Sequence, residues 1–261
     1  MNVRSVISAR AWRVTIRAER LRHEAGALVE THSHSFGQLL VVTVGVLSLT
    51  TAEGWWVVPA GRAAWIPPGV AHEAAYSEQS EVLSVVWPAF QCATLPTQCR
   101  AYPASNLLRE LCLEACRLAA GAISSSTIAL IGPLIIELLL QPSLTPTFFL
   151  PMGRDKRLRR AIAFLQAQAS RAVLLDEVAA SVNSSGRTLE RLFVAETGMT
   201  FTRWREQQRI ILAVELLSKG HSITRAALDL GFQSPGSLST LFTRVLGMPP
   251  SRFLRMLNSA G

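Results

Sequence analysis

The chain of 261 residues lacks an apolar run long enough to cross a bilayer. A spanning helix needs about twenty apolar residues. The longest candidate, Ile128–Leu140, has thirteen and is broken by Gly132, Pro133 and Glu137. The first residues, MNVRSVISARAWRVTIRAERLRHEAG, lack a continuous apolar core, so no secretory signal is expected and the cytoplasm is the expected location. Cysteine is scarce: Cys92, Cys99, Cys112 and Cys116 form no CxxC pair, and none has a histidine at zinc-site spacing. Cys112 and Cys116 share a face if their segment is helical, and in a reducing compartment they read as packing thiols. Residues 1–150 contain no Lys or Asp; ten Arg there balance ten Glu. Only 17% of the chain is charged and 49% is apolar, which excludes a disordered chain.

The positive charge is unevenly placed. Residues 151–261 hold sixteen Lys/Arg against eight Asp/Glu, so the whole net charge of +8 lies in the last 111 residues. A basic module beside a neutral one is the footprint of a polyanion binder joined to something else; a merely solvated basic surface is the bland alternative. No long Lys/Arg-rich amphipathic helix stands out that would favour a membrane surface.

Residues 1–90 read as β structure. Gln38–Thr43, Val46–Thr51, Trp55–Val58, Ala64–Ile66 and Val82–Trp87 are short apolar runs between Gly/Pro turns, which suggests an antiparallel barrel or sandwich. Asn106–Ala119 and Ile123–Gln141 have helical spacing. Leu107, Leu111 and Leu118, with Ile128, Ile131, Ile135, Leu138 and Leu139, exceed what a barrel needs to close its core. The surplus could pair two chains, or both helices could simply cover the barrel. Three prolines within 141–153 suit a linker, and Asp155–Gln168 reads as an amphipathic helix begun by Asp155. The expected division is a sensing barrel at 1–100, a helical dimerisation segment at 101–142, a linker at 143–153 and a DNA-binding domain at 154–261.

The last hundred residues contain a repeat. VAASVNSSGRTLERLFVAETGMTFTRW (178–204) aligns with AALDLGFQSPGSLSTLFTRVLGMPPSRF (226–253). Ser185, Leu189, Phe193, Gly198, Met199 and Trp204 match Ser234, Leu238, Phe242, Gly247, Met248 and Phe253 at an offset of 49. Each unit fits a helix-turn-helix. An Ala-rich helix leads to a turn at Asn183 or Gly231, where positive φ is tolerable, and Ser185 or Ser234 then caps a second helix. Pro235 suits the first helical position, and Gly198 and Gly247 suit the ends. Phe201–Lys219 reads as a long connecting helix. The outward positions of the first recognition helix are Arg187, Glu190 and Arg191; arginine there can lie on guanine or pair with phosphate. The second offers Gly236, Ser237 and Thr240, with Arg244 a turn later, and suits backbone contact better than base discrimination.

Residues 155–257 resemble the double helix-turn-helix domain of the AraC/XylS transcription regulators. The resemblance rests on Ala179-Ala180, TLERLF (188–193), ETGMTF (196–201), WREQQRIILAVELL (204–217) and ALDLGFQSPGSLSTLFTRVLGMPPSRF (227–253). It implies that the main base contacts fall on Arg187, Glu190 and Arg191. The family often presents a long polar side chain or Arg where this chain has Gly236 and Thr240, and a glycine where it has Asn183.

The N-terminal part has its own pattern: Gly26, His32, His34, Gln38 and Gly45, then Gly61, Pro67, Gly69 and His72. These spacings resemble the two cupin motifs of a small jelly-roll barrel, with Gln38 where metal-binding cupins commonly have Glu and Tyr76 where the second motif often ends in Asn. On one strand His32 and His34 would share a face. With Gln38 and His72 they are expected to converge and could hold one divalent transition metal such as zinc, iron, nickel or manganese. A metal-free barrel whose histidines bond an organic effector is the competing reading. Phe36, Trp55, Trp65 and Trp87 are candidates for an effector pocket, against a core role.

The expected fold class is α+β: a jelly-roll barrel with flanking helices and an all-α double helix-turn-helix domain. The expected function is a one-component transcription regulator, not an enzyme. Its partners would be double-stranded DNA, a small-molecule or metal effector, a second copy of the chain and, if it activates, RNA polymerase. The alternative is a cupin metalloenzyme, an oxygenase or isomerase, with a structural tail. Two recognition helices, the +8 charge and Gln38 in place of Glu argue against it.

Overall fold

The computed structural model describes residues 16–121, 126–142, 148–168, 170–171 and 173–260. Ten strands and nine α-helices are assigned among them. The strands are β1 (Arg17–His23), β2 (Ala27–His32), β3 (Phe36–Val44), β4 (Val46–Thr51), β5 (Gly54–Pro59), β6 (Arg62–Ile66), β7 (His72–Tyr76), β8 (Ser80–Pro88), β9 (Arg100–Pro103) and β10 (Phe149–Pro151). They form two antiparallel five-stranded sheets, ordered β1-β8-β3-β6-β9 and β10-β5-β4-β7-β2. This is the expected jelly-roll-like barrel.

Alternation along the strands gives each sheet two faces. Leu40, Val42, Leu47, Leu49, Trp56, Val58, Ala64, Ile66, Ala74 and Tyr76 belong to one buried cluster, drawn from both sheets. The opposite face of the first sheet, with Leu39, Val41, Trp65, Leu83, Val85 and Trp87, packs under two helices. These are α1 (Asn106–Ala120) and α2 (Ser126–Leu140). Ser105 caps α1 by accepting from the Leu108 N–H, and Leu108, Cys112, Ala115 and Cys116 form its buried face. The buried face of α2 is Ile131, Gly132, Ile135 and Leu139. Part of the apolar surplus expected to pair two chains, namely Ile131, Ile135 and Leu139, therefore covers the barrel. Ile123, at the start of the helix expected here, lies outside the described residues.

The expected linker differs from its sequence reading. Residues 143–147 lie outside the described residues, but Phe149–Pro151 pair with β5 and extend the second sheet. Pro151 at the end of the strand does not prevent this, because an edge strand needs ladder bonds on one side only.

The remaining helices are α3 (Lys156–Ala167), α4 (Leu175–Ser181), α5 (Gly186–Thr197), α6 (Phe201–Ser218), α7 (Ile223–Asp229), α8 (Pro235–Leu246) and α9 (Pro250–Ala260). Each unit of the repeat is a helix-turn-helix. Ser185 and Ser234 cap α5 and α8, Pro235 opens α8, and Gly198 and Gly247 end both helices with φ of 69° and 70°. Asn183, at φ 53°, is the one non-glycine residue with positive φ among the described residues. Leu189, Phe193, Leu238 and Phe242 are fully buried with Trp204, Ile211 and Val214 of α6. That cluster also takes in Val46, Val57, Phe148 and Leu150, so the barrel and the helical domain share one packed interface. Among the described residues no helix is long and apolar enough to cross a membrane.

Candidate functional site

His32, His34 and His72 each present a ligand atom within 4.8 Å of the others. They come together differently from the sequence expectation. His32 ends β2, but His34 lies in the connection to β3, which belongs to the other sheet. The two are thus not neighbours on one strand. The Gly69 N–H donates to the His34 carbonyl at 2.8 Å and ties this corner to the turn before His72. His72 is 2% exposed, His34 is half-buried and His32 is exposed.

The ring orientations are set by the backbone. Nδ1 of His32, His34 and His72 lies 2.9, 2.6 and 2.9 Å from the carbonyls of Glu30, Phe36 and Val70. A carbonyl only accepts, so each Nδ1 carries the proton, and in the neutral ring Nε2 keeps its lone pair. Burial pushes His72 below the usual imidazole value and favours that neutral form. Gln38 joins the cluster: its Oε1 lies 3.2 Å from His34 Nε2, while its Nε2 donates to Ser84 Oγ at 3.0 Å. Two acceptors facing each other need a positive centre between them, a proton or a cation, or an amide turned end for end. Three imidazole nitrogens and an amide oxygen suit a first-row divalent ion, which binds nitrogen at about 2.0–2.1 Å. The donor set is of the kind such an ion takes.

Beside this cluster is a cavity of about 550 Å³ bordered by Arg17, Glu19, Phe36, Gln38 and Ser84. Phe36 stacks on His34 with ring centroids 4.1 Å apart. Of the other aromatic candidates, Trp87 also borders this cavity, whereas Trp55 and Trp65 lie elsewhere. Trp65 and Trp87 are fully buried beneath α1 and α2, 6.1 Å apart, and Trp65 donates its indole N–H to the Pro96 carbonyl. Trp55 packs against the helical domain's cluster. Sequence reasoning missed Arg17, Glu19 and Ser84. Arg17 and Glu19 sit on β1, an edge strand whose charges hide it in the sequence, and Ser84 is a lone polar residue within the apolar run of β8.

On the helical domain, Arg187 and Arg191 are exposed on α5 and have no hydrogen bond or ion pair among the described residues. Glu190 is half-buried, and both carboxylate oxygens lie 3.4 Å from the Phe201 N–H, where they cap α6. Its geometry fits a positioning role rather than base contact. On α8, Gly236, Ser237 and Thr240 are exposed, but the Ser237 N–H bonds the Ser234 cap. Arg244 is held 2.6 Å from Glu206 of α6. Of the two recognition helices, α5 therefore carries the unpaired arginines.

A jelly-roll barrel with a polar, histidine-lined mouth, packed on a basic double helix-turn-helix, defines a one-chain regulator with a ligand-binding and a DNA-binding domain. Residues 19–122 match the AraC-like ligand binding domain, and residues 178–256 match a helix-turn-helix domain. The HTH-type transcriptional regulator NimR of Escherichia coli K12 is 32% identical over 229 residues, covering 87% of this chain and 83% of NimR. The HTH-type transcriptional regulator RipA of Corynebacterium diphtheriae is 38% identical over 103 residues, covering 40% of this chain and 30% of RipA. Among solved structures, ToxT of Vibrio cholerae aligns with 92% of this chain and 98% of its own at 10% identity and a TM-score of 0.40. The chain belongs to the AraC family of transcription regulators.

Proposed function

We propose that this regulator senses through the barrel mouth, with His32, His34, His72 and Gln38 holding a divalent transition metal that is the effector or helps to bind it. The observation that carries this reading is the locking of all three Nδ1 atoms by backbone carbonyls, which leaves each Nε2 as the free lone-pair donor of rings whose ligand atoms cluster within 4.8 Å. A bound ion would supply positive charge and open coordination positions for a polar ligand in the adjoining cavity. Gln38, turned by Ser84, sets the polarity between the ion and that cavity.

The proposed division follows the packing: a sensing barrel over 1–100, helices over 101–142, a connection over 143–153 that includes β10, and a DNA-binding domain over 154–261. Arg187 and Arg191 contact DNA directly, and Gly236, Ser237 and Thr240 approach the backbone. Pairing of two chains is supported by Leu107, Leu130 and Leu134, which remain exposed on α1 and α2. The chain acts in the cytoplasm as a non-enzymatic regulator and, where it activates, meets RNA polymerase.

The test is elemental analysis of full-length protein purified without chelator or affinity tag, beside His72→Ala. Equimolar metal in the wild type, lost in the variant together with a metal-dependent change in DNA affinity, is the expected result. Substoichiometric metal in both proteins, with an unchanged response to effector, leaves the metal-free barrel.

A further inference from the structure

The two sheets leave a seam between their edge strands β9 and β10, at the opposite edge of the second sheet from β2 and β7, which carry His32 and His72. A cavity of about 670 Å³ opens along it, and it shares no lining residue with the cavity beside the histidines. Trp56 and Phe149 form one wall, with ring centroids 4.3 Å apart and planes inclined by 32°. Buried Leu95, Cys99 and Leu139 add apolar lining. Tyr102 also lines the cavity; it is 6% exposed, and its buried hydroxyl has no hydrogen-bond partner among the described residues. Leaving such a group unpaired is costly, but the hydroxyl has no accessible surface, so a ligand acceptor reaches it only where the wall opens. Burial pushes the phenol above its usual value, so it stays protonated and able to donate.

The size lies inside the range of about 300–1,000 Å³ that holds small organic ligands. An aromatic wall and an apolar lining, with the exposed donors Arg100 and Gln98 and the carboxylate of Glu53 at the rim, select a flat molecule with a polar acceptor substituent. We propose that the β9–β10 seam binds a planar, multi-ring aromatic molecule carrying a hydrogen-bond acceptor, as a ligand site separate from the histidine cluster. The site has a direct route to DNA binding. The Phe149 side chain lines the cavity, while its carbonyl accepts from Gln207 Nε2 of α6 at 2.7 Å. A ligand that shifts Phe149 acts on a residue that holds the DNA-binding domain.

The test is a fluorescence titration of the full chain with 8-anilinonaphthalene-1-sulfonate, a multi-ring aromatic with sulfonate acceptors. Wild type is expected to bind it saturably at equimolar stoichiometry. Phe149→Ala removes part of the aromatic wall. Leu140→Trp, at a rim position that is 43% exposed, narrows the opening without entering the core. Each is expected to weaken binding about tenfold. His72→Ala is expected to bind the dye as wild type does, whatever its metal content, which separates this site from the histidine reading. Circular dichroism checks folding; if Phe149→Ala fails to fold, Leu140→Trp decides alone. Non-saturable binding, equal binding by wild type and both seam variants, or loss only in His72→Ala overturns the proposal.

Discussion

The indole N–H of Trp204 donates to the Pro151 carbonyl at 2.8 Å, joining the long helix between the two helix-turn-helix units to the outermost strand of the barrel. Gln207, one turn further along α6, makes the parallel bond to Phe149. Both acceptors belong to β10, whose ladder bonds go to β5 on its other side. The strand is therefore a strap between sensor and DNA-binding domain. Gln207→Ala removes one bond without entering the core, because Gln207 is only half-buried. A neutral hydrogen bond contributes about 0.5–1.5 kcal/mol net. Amide hydrogen exchange over 148–152 is expected to speed up by roughly the corresponding factor, up to about tenfold. Unchanged exchange in that segment would show that the bond is not part of the strap.

The turn of the first unit gives a second expectation. Asn183 holds φ 53° and passes its N–H to the Ala180 carbonyl. The left-handed conformation costs most L-residues about 1–2 kcal/mol, and Asn less, because its short side chain tolerates it. Asn183→Val should lower stability by about that amount. Asn183→Gly should be neutral or slightly stabilising. Thermal unfolding of both variants measures the difference; equal behaviour would count against strain at this turn.

The helical domain was legible because its signals are local. Ser185, Pro235, Gly198 and Gly247 each act within one turn of chain, and a duplicated unit states its pattern twice. The barrel was only half legible. Apolar β3, β4, β5, β6 and β8 stand out, whereas β1 and β2 lie at sheet edges and carry charged residues. The motif spacing brought His32, His34, Gln38 and His72 into one place, yet the chain turns a corner between His32 and His34 that spacing cannot express. The tryptophans were hardest. Neighbouring Trp55 and Trp56 point to opposite sides of a strand, one toward the helical domain and one into the barrel, and only tertiary packing tells which.

The thiols provide a pH-dependent expectation. All four cysteines are buried and unpaired. Burial pushes Cys99 and Cys112 up to about 12 and Cys116 up to about 11, and raises Cys92 as well. An unfolded thiol titrates near about 8.5. The folded values are raised, so this contribution to stability is fully present below that pH and is lost as pH rises toward 11–12. At pH 8 a thiol-specific reagent should leave the native protein unlabelled and modify all four cysteines in denaturant. Rapid native labelling of Cys112 at pH 8 would contradict the burial argument.

The two recognition helices should contribute unequally to DNA binding. Arg191 and Arg187 stand free on α5, while Arg244 on α8 is already engaged by Glu206 at 2.6 Å. A bidentate arginine–guanine contact contributes about 1–3 kcal/mol of discrimination. Arg191→Ala should therefore weaken operator binding by about that amount and relax preference at one base pair. Thr240→Ala and Arg244→Ala should cost less. Releasing Arg244 by Glu206→Gln should strengthen binding non-specifically and steepen its salt dependence, because a freed cation displaces a counterion from phosphate. Binding isotherms at several salt concentrations, on the operator and on a scrambled duplex, separate the effects. Equal losses from Arg191→Ala and Thr240→Ala on the operator would remove the asymmetry between α5 and α8.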